Sequence, residues 1–216
     1  MINRIFAGIV FLFSLIIYIM TMAPTTSFWD CGEFIATSYT LGVPHPPGTP
    51  LYLLIGNVFS NIFFFIEDIG ARVNLISPIV SALSVMFLYL IIVQFISKWF
   101  KDKKNRIKKL TVYYSAFIGS LLFAFTHSQW FNAVEAEVYG MSTFFTAIVV
   151  WLVLKWSNEK DTPGSIKYLI LITYFIGLAI GVHLLNLLAI PFIALIIYFT
   201  LTKDHFGSFL LDNSLT

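Results

Sequence analysis

The sequence predicts an all-α integral membrane protein, with about six transmembrane helices and one further helix lying in the membrane interface. Three observations predict it. Of 216 residues, 58% are hydrophobic and only 11% are charged, with a mean hydropathy of +0.86. Soluble domains carry about 25% charged residues because their surface must face water, so a soluble globule is excluded. The apolar residues gather into runs of bilayer length, and the basic residues separate from the acidic ones along the chain. The single cysteine, Cys31, excludes an internal disulfide.

A bilayer crossing needs roughly 17 to 25 apolar residues. Such runs fall near 4–22, 75–97, 111–126, 138–156, 168–181 and 184–201. The first leads through Thr21-Met22-Ala23-Pro24 into a Trp-containing acidic segment rather than a small-residue cleavage site, so it reads as a retained helix and not a signal peptide. Between spans one and two lies an outer loop, 23–74, with a shorter apolar stretch at 50–66. That stretch places Asn57, Ser60 and Asn61 at helical spacing on one face, as an interfacial helix would. The multi-pass domain is expected to cover 1–203, followed by a short, frayed C-terminal tail over 204–216.

Charge tests this topology, because cytoplasmic loops are enriched in Lys and Arg. If 50–66 does not cross, the cytoplasmic side receives Arg4, the cluster Lys98, Lys101, Lys103, Lys104, Arg106, Lys108 and Lys109, then Lys155, Lys160, Lys167 and Lys203. Only Arg72 is left outside, among Asp30, Glu33, Glu67, Asp68, Glu135 and Glu137. A full crossing at 50–66 would put the basic cluster outside. That cluster is a topology determinant and an anionic-lipid contact, and no nucleic-acid partner is expected.

Three unusual segments then share the outer side. In Phe28-Trp29-Asp30-Cys31-Gly32-Glu33-Phe34, two carboxylates three residues apart lie on one face if the segment is helical. They are either a perturbed acid pair or an ordinary helix start, with Ser27 or Asp30 as N-cap and Glu33 closing a capping box. The proline-rich Pro44-His45-Pro46-Pro47-Gly48-Thr49-Pro50-Leu51-Tyr52 is stiff and extended as far as Pro50. It holds His45 either for a phosphate or hydroxyl ligand or simply in solvent. The segment from His127 to Tyr139 joins the third and fourth spans with almost no spare loop and sets Glu135 and Glu137 at the membrane surface. These are either functional acids or a solvated loop apex, with Glu137 the closer of the two to a span. Around the last outer turn, Gly177, Gly181, His183 and Asn186 suit close helix packing, and His183 is a further site candidate.

Trp29-Asp30-Cys31-Gly32-Glu33-Phe34, the Gly42 to Leu51 segment with its His-Pro-Pro, and Glu135-Ala136-Glu137-Val138-Tyr139 occur in that order. Together they resemble the GT-C superfamily of membrane glycosyltransferases. Closest is a largely bacterial family, formerly a domain of unknown function, that includes an animal protein O-mannosyltransferase. Members of that family usually continue through more membrane helices.

The resemblance implies inverting transfer of a hexosyl or mannosyl group from a polyprenyl-phosphate sugar to a protein or glycan hydroxyl. Asp30 and Glu33 would be catalytic, and His45, Glu135, Glu137, Tyr139 and His183 would bind substrate. No cofactor and no metal are expected. The partners would be membrane lipid, the sugar donor and the acceptor. The setting would be a bacterial inner membrane, with the motifs on the periplasmic side. Two rival readings stand beside it. One is a transporter or channel subunit with an outer acidic cation site, which should carry ionisable residues at midplane depth. The other is a non-catalytic fragment that keeps the fold.

Overall fold

The computed structural model describes residues 2–99 and 106–212. Every regular element among them is helical: α1 (Ile2–Met20), α2 (Cys31–Thr40), α3 (Pro50–Ile62), α4 (Ile69–Asn74), α5 (Ile76–Trp99), α6 (Arg106–Ala124), α7 (His127–Ala133), α8 (Val138–Glu159), α9 (Ile166–Ile180), a 3-10 turn (Leu184–Leu188) and α10 (Ala189–Asp212). Lys101, Lys103 and Lys104 of the basic cluster lie outside the described residues, as do residues 213–216 of the expected tail. The backbone of the tail's first part continues α10.

α5 is the central post, packed against α1 and α6 on one side and α8 on the other, while α8 in turn carries α9 and α10. Small side chains make this possible. α1 buries Ala7, Val10, Ser14 and Tyr18 at helical spacing, and Ile5, Ile9, Leu12 and Ile16 stay exposed on the face left for lipid. α5 buries Ser77, Ser81, Ala82, Ser84 and Val85. In a bilayer the hydrophobic effect does not drive helices together, so close backbone approach through such residues and hydrogen bonds carries the packing.

Four stretches are long and apolar enough to cross a membrane: Ile2–Met20, Ile69–Ser97, Val138–Glu159 and Leu184–Thr202. A fifth exists if α6 and α7, bent by 68° at their junction, count as one span. α9 has 15 residues, about 22 Å at 1.5 Å per residue, short of the ~30 Å hydrocarbon core. Of the six expected spans, this one is a helix of sub-bilayer length. The stretch expected in the interface forms the still shorter α3, ending at Ile62 rather than 66.

The turns expected outside gather at one end of the bundle. There the Ala23 N–H donates to Val134 O (2.8 Å), the Leu51 N–H to Gly181 O (2.8 Å) and the Tyr18 hydroxyl to Ala124 O (2.9 Å). At the other end the Tyr89 hydroxyl meets Asn3 Oδ1 (2.9 Å), and Asn158 Nδ2 meets Gln94 Oε1 (3.0 Å). The outer layer, α2 to α4, is locked by one tight crossing. A Cβ on Gly56 of α3 would lie 2.3 Å from Ser38 Oγ of α2, so only glycine allows that approach. Asn57 Nδ2 then donates to the carbonyls of Ser38 (3.0 Å) and Tyr39 (3.1 Å).

Candidate functional site

The site grows from the turn that starts α2. The Cys31 N–H reaches back to Phe28 O (3.4 Å), and Trp29 within that turn has φ +57°, in the left-handed region where a bulky residue is unfavourable. Its side chain is 83% exposed, so its own burial does not offset the strain. Asp30 follows at the N-cap position, yet its side chain makes no capping hydrogen bond. Glu33 does not close a capping box either. The ordinary helix-start reading therefore fails on both residues, and the Asp30 carboxylate stays exposed beside the turn.

Glu33 turns to the proline-rich loop instead. Its Oε1 accepts from the His45 backbone N–H (2.7 Å), and its Oε2 accepts from His45 Nδ1 (2.6 Å). This fork fixes the imidazole against Phe34, with ring centroids 5.9 Å apart. The bond to Glu33 raises the His45 pKa, helped by the charges of Asp30 and Glu137 and opposed by partial desolvation. The bond to His45 lowers that of Glu33. Atoms of Asp30, Glu33 and His45 lie within 4.8 Å of one another, close enough to share a cation, though half-buried Glu33 and exposed His45 already satisfy each other.

The third segment closes in from below. Glu135 and Glu137 are 1% and 4% exposed, so neither sits at a solvated loop apex. Glu137 precedes α8 in an extended conformation. Burial pushes its pKa up to about 7, with the negative charges of Asp30 and Glu135 adding to the effect. Fully buried Tyr52 of α3 lies under the same field, its pKa raised first by desolvation and then by Glu137. Burial likewise raises the Cys31 thiol.

Tyr139 and His183 pair with each other, ring centroids 5.4 Å apart, one residue further into α8. His183 Nδ1 also accepts the Leu185 N–H (3.1 Å) and so caps the 3-10 turn. Buried Asn186 braces that turn, taking hydrogen bonds from Ser142 (3.0 Å) and Thr146 (3.2 Å). Arg72, the lone Lys or Arg between α1 and α5, spends its guanidinium on the carbonyls of Ile66 (2.6 Å), Ser60 (3.1 Å) and Glu67 (3.3 Å) rather than on Asp30, Glu33 or Glu137. Alongside α2 opens a cavity of about 500 Å³, lined in part by the hydroxyl-bearing Thr25, Thr26, Tyr39 and Thr40 and by Glu67.

The structure thus brings Asp30, Glu33, His45 and Glu137 together, sets Glu135 behind them and places the Tyr139–His183 pair beside them. Two further residues at the site are not among the candidates that the sequence singles out: Asn74, and Tyr52, which only closes the proline-rich segment. The visible signal was slight: a single amide between Val73 and Leu75, and a tyrosine in an apolar helix.

Residues 30–205, starting at Asp30 itself, match the family described as the protein O-mannosyl-transferase TMEM260 N-terminal domain. Among curated relatives, the chain is 27% identical over 196 residues to protein O-mannosyl-transferase tmem260 of Dictyostelium discoideum, covering 85% of this chain and 22% of that protein. It is 22% identical over 164 residues to protein O-mannosyl-transferase TMEM260 of Mus musculus, covering 76% of this chain and 21% of that one. The chain therefore spans about a fifth of the length of these relatives. No solved structure gives a significant match. Since the match takes in Asp30, Glu33, His45, Glu135 and Glu137 and most of the chain, this multi-pass membrane protein belongs to the family of TMEM260 N-terminal domains of protein O-mannosyl-transferases.

Proposed function

We propose that the chain supplies the acid site of a membrane glycosyltransferase that moves a sugar, mannose by analogy with the relatives, from a polyprenyl-phosphate donor to an acceptor hydroxyl on the outer face. In the bacterial setting that the sequence resemblance implies, this face is the periplasmic side of the inner membrane. The observation that carries the proposal is the meeting of Asp30, Glu33, His45 and Glu137 at one end of the bundle, from three separate segments.

In this reading the acceptor oxygen attacks the anomeric carbon from the face opposite the leaving group. The carbon–oxygen bond to the lipid phosphate breaks, and the acceptor proton passes to Asp30, an exposed carboxylate free of capping duty. Glu33 holds His45 through Nδ1 and favours the imidazolium, whose remaining Nε2 donates to the departing phosphate. Glu137, with a pKa near neutrality, binds a sugar or acceptor hydroxyl as donor or acceptor. Glu135, Tyr139 and His183 shape the wall behind it.

The test is to incubate the membrane-embedded chain with labelled polyprenyl-phosphate mannose and a hydroxyl-bearing peptide. Label is expected in the peptide. The transporter reading is favoured instead by outer-acid-dependent cation flux in proteoliposomes together with no label transfer.

A further inference from the structure

We infer that Asn74 is a positioning residue whose side-chain amide welds the Asp30 turn to the segment bearing Glu135 and Glu137, and so sets the spacing of those acids. Asn74 ends α4 and is fully buried. Its Nδ2 donates to Ala23 O (2.8 Å) and Thr25 O (2.9 Å), in the segment that leads from α1 to the turn. Its Oδ1 accepts from the Ala136 N–H (2.9 Å) and receives the Cys31 thiol (Sγ 3.7 Å). A primary amide offers two donors and two acceptor sites, and all four are used.

The partners are informative in themselves. Cys31 adjoins Asp30, and Ala136 lies between the two glutamates, so one side chain holds the Cys31 thiol and the Ala23 and Thr25 carbonyls on one side of the acid cluster and the Ala136 backbone on the other. The Ala23 N–H to Val134 O bond runs parallel to this joint (2.8 Å). Buried Glu135 Oε1 has no hydrogen-bond partner, so no bond of that oxygen helps to locate the residue. Neither an aspartate nor an alanine can replace the amide. Aspartate cannot donate to the two carbonyls and brings a further negative charge toward Glu135 and Glu137, while alanine leaves the buried Ala136 N–H unpaired and frees the part-buried Ala23 and Thr25 carbonyls.

The role of the acids in chemistry rests on the proposed function, but the joint does not, so its test avoids sugar transfer altogether. Cys31 is the only cysteine and is buried, which makes it a native reporter. In the purified full chain, Asn74→Ala is expected to raise the rate of Cys31 alkylation roughly tenfold or more by loosening the joint. The Glu137 titration is read as the difference in pH-dependent melting with and without Glu137→Gln. Besides Asp30 and Glu135, the groups around Glu137 are His45, Tyr52 and Cys31. Asn74→Ala should lower the midpoint of that titration by about one pH unit as Glu137 gains water, whereas Asn74→Asp should raise it. A merely structural role would shift melting but leave the midpoint in place, and that result overturns the inference. If Asn74→Ala does not fold, Asn74→Asp decides: unchanged Cys31 alkylation and an unchanged midpoint sink the proposal.

Discussion

The carboxylate of Glu33 holds His45 twice, at the backbone N–H (2.7 Å) and at Nδ1 (2.6 Å), and thereby clamps the proline-rich loop to the first turn of α2. Glu33→Gln keeps the shape but removes the charge, so the His45 pKa should fall toward its ordinary value. The sign is definite for both partners. The raised imidazole pKa contributes stability at low pH that is lost as pH rises through the folded-state value, and the lowered carboxylate pKa contributes stability at higher pH that is lost on acidification. The contribution is therefore fullest between the ordinary values of 4.5 and 6.5. Nuclear magnetic resonance titration of the imidazole in detergent would show the drop, and an unmoved midpoint would contradict the clamp.

Asp30→Asn separates catalysis from capping. Asparagine is as good an N-cap as aspartate, and the Asp30 side chain makes no cap bond, so loss of capping should cost no stability, and relief of the repulsion with Glu137 should leave the chain folded. Transfer should fall by roughly 10²-fold or more, because the amide cannot take the acceptor proton. Full activity in a label-transfer assay would remove Asp30 as the base. Full activity in Glu33→Gln and Glu137→Gln as well would remove the acid site.

Glu137→Gln should change how stability depends on pH. The folded chain holds the Glu137 proton more tightly than the unfolded chain, so this residue makes stability fall as pH climbs from about 4.5 to about 7. The amide has no such charge to bury, and the variant should lose that part of the decline. Thermal melts across this window, parent against variant, decide the point.

Trp29→Gly should stabilise the turn by about 1 kcal/mol, since glycine adopts the left-handed region without the steric penalty. The side chain is exposed, so little packing is lost. Calorimetry or thermal melting of the purified variant reads this directly, and a loss of stability would show that the ring has an apolar partner in the membrane.

Topology is open to chemical labelling. Cysteines at Thr40 and Ser128 should react with an impermeant thiol reagent from outside intact cells, and one at Asp161, in the turn between α8 and α9, should not. Buried Cys31 gives a slow background. Outside labelling at Asp161 would invert the arrangement.

Much of the fold was legible because bilayer physics writes it large. Apolar length and the segregation of lysines from outer acids are coarse signals that survive any detail of packing. The short helices α4 and α7 were not legible, since six or seven residues in a polar connection carry no period worth reading. The site was legible as a list of residues rather than as a set of bonds. Asp30, Glu33, His45 and Glu137 were all in view, but nothing in the linear pattern pairs Glu33 with a residue 12 positions away in preference to closing its own helix. The depth of Glu137 depends on a layer folding over it from elsewhere in the chain. Asn74 looked like one polar residue in an apolar run, and only its four partners give it meaning.

The anchoring of α3 has a mechanical consequence. Its first turn is tied to Gly181 through the Leu51 N–H, its middle to α2 through Asn57, and its far end to Arg72 through the Ser60 carbonyl. A rod pinned at three points along its length cannot swing as a gate. α3 is a fixed rail, and any ligand that approaches the acids past it must slide along it rather than push it aside.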